Sequence, residues 1–291
     1  MPDRYAVIGA PIAHSRSPVI HAAFAEQTGQ SLNYTAILGD HADFERTVAQ
    51  LHADGLLGLN VTLPFKERAL ALAHHCTERA VRAGAANTLS FAHGQISADN
   101  TDGAGFMRDL TQGLGVRPEG QRVLVLGAGG AVRGILGPLL DARPRRIDFS
   151  NRTPARAQTL RDAVLAEQGQ AGSGGSAQGH TECAVLAAGS LRDAGPYDLV
   201  VNGTSGGWAG VAPELARSLF APAALAYDLS YRLEGDTPFL ASARAAGAAR
   251  LADGLGMLVE QAAEAFFVWR GIWPETARVL SDLRAGSAGV A

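Results

Sequence analysis

A chain of 291 residues with 47% hydrophobic composition can bury one or two cores, while a net charge of -3 and 25 scattered Lys and Arg residues give no basis for a nucleic-acid surface. Two cysteines, Cys76 and Cys183, lie too far apart in sequence to suggest a disulfide framework or a zinc site, and they fit a reducing cytoplasm. No run approaches the ~20 apolar residues that cross a bilayer, and the N-terminus enters a strand without an apolar leader. The expectation is a cytoplasmic protein with small-molecule partners, neither nucleic acid nor membrane.

Tyr5 to Gly9 reads as a buried strand, and after His14-Ser15-Arg16-Ser17-Pro18 a helix is predicted to about Gln27. Ser17 before Pro18 has the composition of a helix cap, which leaves His14 and Ser15 unexplained, and two hydroxyls at a helix start, Ser15 and Ser17, also suit a carboxylate, so both readings stand. A strand over 32–38, a helix over 41–53 and a strand over 56–61 continue a βαβ alternation, which implies a mostly parallel sheet. In the third strand Asn60 and Thr62 share one face, opposite Leu59, Val61 and Leu63, so polar groups gather at the strand's C-terminal end, where open α/β sheets bind ligands. Lys66, beyond Pro64 at the next helix start, stands where the helix dipole disfavours a cation; a role in the site competes with an ordinary surface lysine beside Glu67 and Arg68.

His74, His75 and Cys76, expected at that helix's end, point in different directions and lack a second ligand cluster, so no metal is expected. Residues 85–92 and 95–98 form a predicted hairpin about His93-Gly94, whose ends carry Asn87-Thr88 and Asp99-Asn100-Thr101-Asp102. Turn residues explain such clusters, yet brought together beside 60–66 they would make a polar pocket. A helix from Gly103 to about Leu114 and a linker over 113–120 then lead out of a first domain.

Val123 to Leu126 runs without alternation into Gly127-Ala128-Gly129-Gly130 and an apolar helix, a strand, glycine turn and helix suited to a pyrophosphate. The third fingerprint position should be Gly or Ala and is Val132. A second strand over 146–150 ends at Asn151-Arg152-Thr153, with Arg156 one helical step later; this cationic tip suits the 2′-phosphate of NADP, against a solvated helix start and a competing acid, Asp148. A helix to about Glu167 precedes a Gly/Ser-rich loop over 169–179, read as mobile. Strands over 183–186, 197–202 and 224–229 lead to Thr204-Ser205-Gly206-Gly207 and to Ser230-Tyr231, with Thr237-Pro238 opening a helix. Finally 254–271 is helical, and Gln261 reads either as a satisfied core amide or as a ligand contact.

Seven motifs in this order, HSRSP (14–18), NVTLPFK (60–66), GAANT (84–88), NTDG (100–103), GAGGAVR (127–133), NRT (151–153) and GMLVEQAAEAFFVW (256–269), make the chain resemble the shikimate dehydrogenase family over nearly its whole length. The resemblance implies an α/β protein with an N-terminal, open, mostly parallel substrate domain (1–112), a Rossmann-type NADP-binding domain (113–253), C-terminal helices packing back (254–291), and an active site in the cleft between the domains. It implies reduction of 3-dehydroshikimate to shikimate with NADPH, by a monomer or homodimer. Lys66 and Asp102 become the catalytic pair, and Ser15, Ser17, Asn60, Thr62, Asn87, Tyr231 and Gln261 the substrate contacts. NADP(H) falls to Gly127, Ala128, Gly129, Gly130, Ala131, Asn151, Arg152, Thr153, Arg156, Thr204, Ser205, Gly254 and Met257. The chain departs from the family pattern in a Tyr231–Thr237 segment one residue longer than usual and in Trp208 after the glycine turn. A paralogue oxidising quinate or a related polyol is the runner-up, and a non-catalytic nucleotide-binding module is third.

Overall fold

The βαβ alternation of the first hundred residues resolves into one sheet in a computed structural model that describes residues 1–171, 180–204 and 214–286. The chain divides into two units: Met1–Asp109 with Gly256–Ala291, and Leu110–Leu255. In the first, strands β1 (Asp3–Gly9), β2 (Leu32–Leu38), β3 (Gly58–Val61), β4 (His75–Cys76), β5 (Thr88–Ala92) and β6 (Gln95–Asp99) lie in the order β2-β1-β3-β5-β6-β4. All run parallel except β5, which is antiparallel to both neighbours. Its reversal comes from a two-residue turn, His93 at φ 50° and Gly94 at φ 73°, the positive pair that a type I′ hairpin needs. Leu59 and Val61 join the core on one side of β3, as their alternation demands.

Two local readings change. The helix carrying Lys66 spans only Lys66–Ala71, and His75–Cys76 becomes an edge strand, because pairing with β6 captures the backbone: His74 N–H donates to Ile96 O at 2.8 Å, and Ile96 N–H donates to His74 Nδ1 at 3.0 Å. That bond spends the histidine structurally, and among the described residues no group of three His, Cys, Asp or Glu is placed to hold a metal. A short helix, Glu78–Ala83, was not read from the sequence although its signals are present. Thr77 Oγ1 accepts from Ala80 N–H and Gly84 closes the helix at φ 60°.

The Leu255–Arg270 helix, from Gly256 onward, belongs to the first unit. Its C-terminal end is fixed by Trp269, whose indole Nε1 donates to Leu89 O at 3.1 Å and whose ring stacks on Tyr5 at 4.8 Å. The indole lies so close to Gly58 that a Cβ there would meet the ring at 2.4 Å.

In the second unit, β7 (Arg122–Leu126), β8 (Arg146–Ser150), β9 (Glu182–Leu186), β10 (Tyr197–Asn202), β11 (Phe220–Asp228) and β12 (Arg250–Ala252) form a sheet ordered β12-β11-β10-β7-β8-β9. Every pairing is parallel, and Val123 to Leu126 are all buried, which is why the run is apolar without alternation. The order reverses between β7 and β10, the switch point where such sheets receive a dinucleotide. The helix after β8 extends over Pro154–Ala171, so Gly169 and Gln170 are helical rather than the start of a loop, and 172–179 lie outside the described residues. Among the described residues no helix is long and apolar enough to cross a membrane.

Candidate active site

Asn60, Asn87 and Asp102 reach one edge of the first sheet by different routes. Asn60 is the last residue but one of β3 and Asp102 follows β6, two strands running the same way; Asn87 precedes β5, which reaches that edge with its N-terminal end only because it is reversed. Lys66, the first residue of its helix, donates from Nζ to Asp102 Oδ2 at 2.5 Å, with the two side chains 14% and 7% exposed. The cation that the helix dipole disfavours is thus held by a carboxylate 36 residues away, and the surface-lysine reading falls. Asn87 Nδ2 lies within reach of Asp102 Oδ1 (2.8 Å), Thr101 Oγ1 (2.8 Å) and Gln261 Oε1 (3.1 Å), while its Oδ1 accepts from Thr101 N–H at 2.8 Å. Gln261 is therefore a member of this polar cluster, with its Nε2 donating to Leu258 O at 2.9 Å.

Asn60 is oriented from behind. Its Nδ2 donates to Asn87 O and Thr88 Oγ1, both at 3.1 Å, and its Oδ1 accepts from Tyr34 Oη–H at 2.7 Å. His21 stacks on Tyr34 at 4.1 Å with the rings 6° apart. Burial pushes the His21 imidazole down to about 3, so it is neutral, and burial raises the Tyr34 phenol well above its usual value, so it remains a donor. Tyr34 and His21 were not singled out from the sequence, whereas Thr101 belongs to the polar cluster expected there. Tyr34 is the only buried residue of β2, a feature no local pattern announces.

Ser15 and Ser17 follow β1, and Thr62 follows β3, at the same strand ends. Arg16, not Ser17, occupies the cap position, in a helical conformation with no side-chain cap bond, so the capping explanation of Ser17 is withdrawn; its N–H donates to Ser15 Oγ at 3.3 Å. Tyr231 lies in the second unit, apart in the chain's division from the other substrate candidates.

In that unit Gly127 adopts φ 103° and sits against the β10 turn, where a Cβ would meet Gly203 C and O at 2.7 Å. Gly203 in turn makes room for Val132, whose Cγ2 would lie 2.4 Å from a Gly203 Cβ. The bulky third fingerprint position is thus accommodated by a glycine just after the neighbouring strand. Gly129 and Gly130 have open space before them, and the Gly130–Asp141 helix begins there, so its first N–H groups lack intrahelical partners. Arg152 and Arg156 are exposed and make no ion pair among the described residues. The competing acid is spent: Asp148, 1% exposed, accepts from Arg146 Nε at 2.8 Å and Tyr197 Oη at 2.6 Å.

Thr204 Oγ1 donates to Asn202 Oδ1 (2.8 Å), and Asn202 Nδ2 to Asp228 Oδ1 (3.0 Å). Asp228 also accepts from Ser230 N–H at 3.0 Å and Thr237 Oγ1 at 2.5 Å, while burial, its largest influence, raises its carboxyl. One buried carboxylate thus holds Ser230 and Thr237, the two sides of a segment whose positions 232–235 are exposed. Gly254 has a packing reason of its own, since a Cβ would lie 2.3 Å from Leu229 O. Met257 is buried and falls in the first unit, whereas Ser205 and Trp208 lie outside the described residues.

Strand order and glycine turn define the class, a dinucleotide-binding α/β protein. Family models describe residues 7–89 as a shikimate dehydrogenase substrate binding domain and 254–281 as a shikimate 5'-dehydrogenase C-terminal domain. The shikimate dehydrogenase (NADP(+)) of Dechloromonas aromatica (strain RCB) is 50% identical over 287 residues, covering 98% of each chain. The Ael1 enzyme from Pseudomonas putida superposes with TM-score 0.85 at 46% identity, covering 97% of this chain and 98% of its own. Shikimate 5-dehydrogenase from Thermus thermophilus, in complex with NADP(H) and shikimate, gives TM-score 0.81 at 32% identity over 97% of this chain and 99% of its own. This chain belongs to the shikimate dehydrogenase family.

Proposed function

We propose that the chain is an NADP-dependent shikimate dehydrogenase that reversibly reduces 3-dehydroshikimate to shikimate, serving aromatic biosynthesis as a cytoplasmic monomer or homodimer. The observation that carries this reading is the Lys66–Asp102 pair, buried among amides at a strand edge. In this reading the first unit supplies the substrate contacts except Tyr231, and the second the NADP contacts except Met257.

The residues present fit the cofactor. Open space before Gly129 and Gly130 and the free helix-start amides, Ala131 included, suit its pyrophosphate, Arg152 and Arg156 suit its 2′-phosphate, and the acid that would favour NAD is buried and paired. Asn151, Thr153, Thr204, Gly254 and Met257 complete its contacts.

When bound, NADPH supplies a hydride to the carbonyl carbon. Charge then develops on the carbonyl oxygen, where Lys66 Nζ stabilises it and delivers the proton that completes the alcohol; in the reverse direction the same nitrogen accepts that proton. Asp102 Oδ2 aims the ammonium, and Asn87 holds Asp102 through Oδ1, so the pair is fixed before substrate arrives. Ser15 and Ser17 hold the carboxylate, and Asn60, Thr62, Asn87, Gln261 and Tyr231 read the hydroxyls.

A panel of shikimate and quinate, each with NADP and NAD, tests the reading. Turnover should be highest for shikimate with NADP. Equal or faster turnover of quinate, or preference for NAD, would move the chain to the polyol paralogue, and no turnover with any pair would overturn the enzyme reading.

A further inference from the structure

Asp102 and Gln261 reach the site on elements far apart in sequence, the end of β6 and the Leu255–Arg270 helix. Their registry is demanding. A Cβ on Gly105 would lie 2.5 Å from Gln261 N, so the helix that begins at Asp102 touches the long helix at Gln261 itself. A shift of about 1 Å between them would take Gln261 Oε1 from 3.1 Å to Asn87 Nδ2 out of hydrogen-bond range.

We propose that Arg79 is a positioning residue for the substrate site, setting Gln261 in line with Asn87 and Asp102 by bridging Asp99 and Glu264. The inference rests on reading Gln261 as a substrate contact. Arg79 grips Asp99 with two bonds, Nε to Oδ1 and Nη2 to Oδ2, both 2.6 Å, and Nη1 donates to Glu264 Oε1 at 2.7 Å. Asp99 is the last residue of β6, three before Asp102, and it also accepts from Thr77 Oγ1 and Asn100 N–H at 2.7 Å each. Glu264 stands one turn beyond Gln261, on the same helix face. Its other oxygen accepts from Arg108 Nη2 at 3.2 Å, and the Arg108 guanidinium lies 4.0 Å from the Trp273 ring centroid. The Glu264, Arg79 and Asp99 side chains are 14%, 33% and 10% exposed, a sheltered setting in which a planar fork is worth more than a surface pair. Trp269 and Arg270 anchor the long helix eight and nine residues beyond Gln261, about 12 Å along the axis, whereas Arg79 ties it to β6 one turn from Gln261, beside the Arg108 contact to Glu264.

Arg79→Lys keeps the charge but loses the fork. The KM for shikimate should rise about five- to tenfold, with kcat changed less, the KM for NADP unchanged and thermal melting near wild type. In a Gln261→Ala background, where KM is already raised, Arg79→Lys should add nothing. An unchanged KM in Arg79→Lys, or the same rise in both backgrounds, overturns the inference. An unchanged KM in Gln261→Ala alone instead overturns the reading of Gln261 on which it rests. Should Arg79→Lys fail to fold, Glu264→Gln, which retains an acceptor for Arg79, serves in the same cycle: a smaller KM rise that vanishes in the Gln261→Ala background supports the clamp, and a rise that persists refutes it.

Discussion

Replacing Lys66 by Met preserves the length of the side chain and removes both the charge and the transferable proton. In the structure this deletes the 2.5 Å bond to Asp102 Oδ2 while Asn87 still donates to Oδ1 at 2.8 Å. Because the role assigned to Lys66 appears mainly as charge develops, turnover should fall by at least about a hundredfold, equivalent to about 2.7 kcal/mol, with the KM for shikimate changed only modestly. There is a competing cost. Asp102, 7% exposed, is left with no cation beside it, which destabilises the fold by about 1–3 kcal/mol. The double variant Lys66→Met/Asp102→Asn separates the two effects, since it removes both charges: melting temperature should return toward wild type while turnover stays low. The assay is initial-rate shikimate oxidation at saturating NADP, followed by NADPH absorbance, beside thermal melting of each variant. Turnover within a few-fold of wild type in folded Lys66→Met would falsify the mechanism. Asp102→Asn alone should lose less than Lys66→Met if Asp102 only aims the ammonium.

Arg152→Ala should weaken NADP about ten- to a hundredfold while leaving NAD nearly unaffected; equal losses would place Arg152 away from the 2′-phosphate. His21, with a folded-state value of about 3 against 6.5 unfolded, binds its proton less readily in the native state. Its contribution is therefore complete above pH 6.5 and is lost as pH falls toward 3, by about 1.4 kcal/mol per pH unit, so urea unfolding of His21→Phe should show a shallower acid decline than wild type. Parallel slopes would show that His21 is not the group responsible. Gly203→Ala puts a Cβ 2.4 Å from Val132 Cγ2 and should cost about 1–3 kcal/mol, most of it recovered in Gly203→Ala/Val132→Ala. Failure of the second substitution to recover stability would mean that Val132 does not occupy the space Gly203 leaves.

Much of this protein was legible locally. A buried strand, glycine turn and helix at 122–141 and a cationic tip after β8 are written in adjacent residues, because close backbone approach, helix-start amides and charge need only short-range sequence. The β5–β6 hairpin was equally plain, since only a two-residue turn with positive φ closes it so tightly. Elements of two or three residues, β4 and β12, were not, because a strand that short carries no periodicity and exists only through its neighbour's hydrogen bonds. The same limit governs the site. Lys66 looked misplaced and Gln261 ambiguous because what satisfies them lies at Asp102 and Asn87, far along the chain, and nothing local says that β5 also pairs with β3 and so sets Asn87 beside Asn60. Tyr34 behind Asn60, Asp228 pinning two loops and Arg79 spanning β6 and the long helix are likewise partnerships of tertiary structure. Patterning of apolar residues determines which elements form and which faces they bury; the pairing of polar groups at their ends is decided only when the sheet order sets distant strand ends side by side.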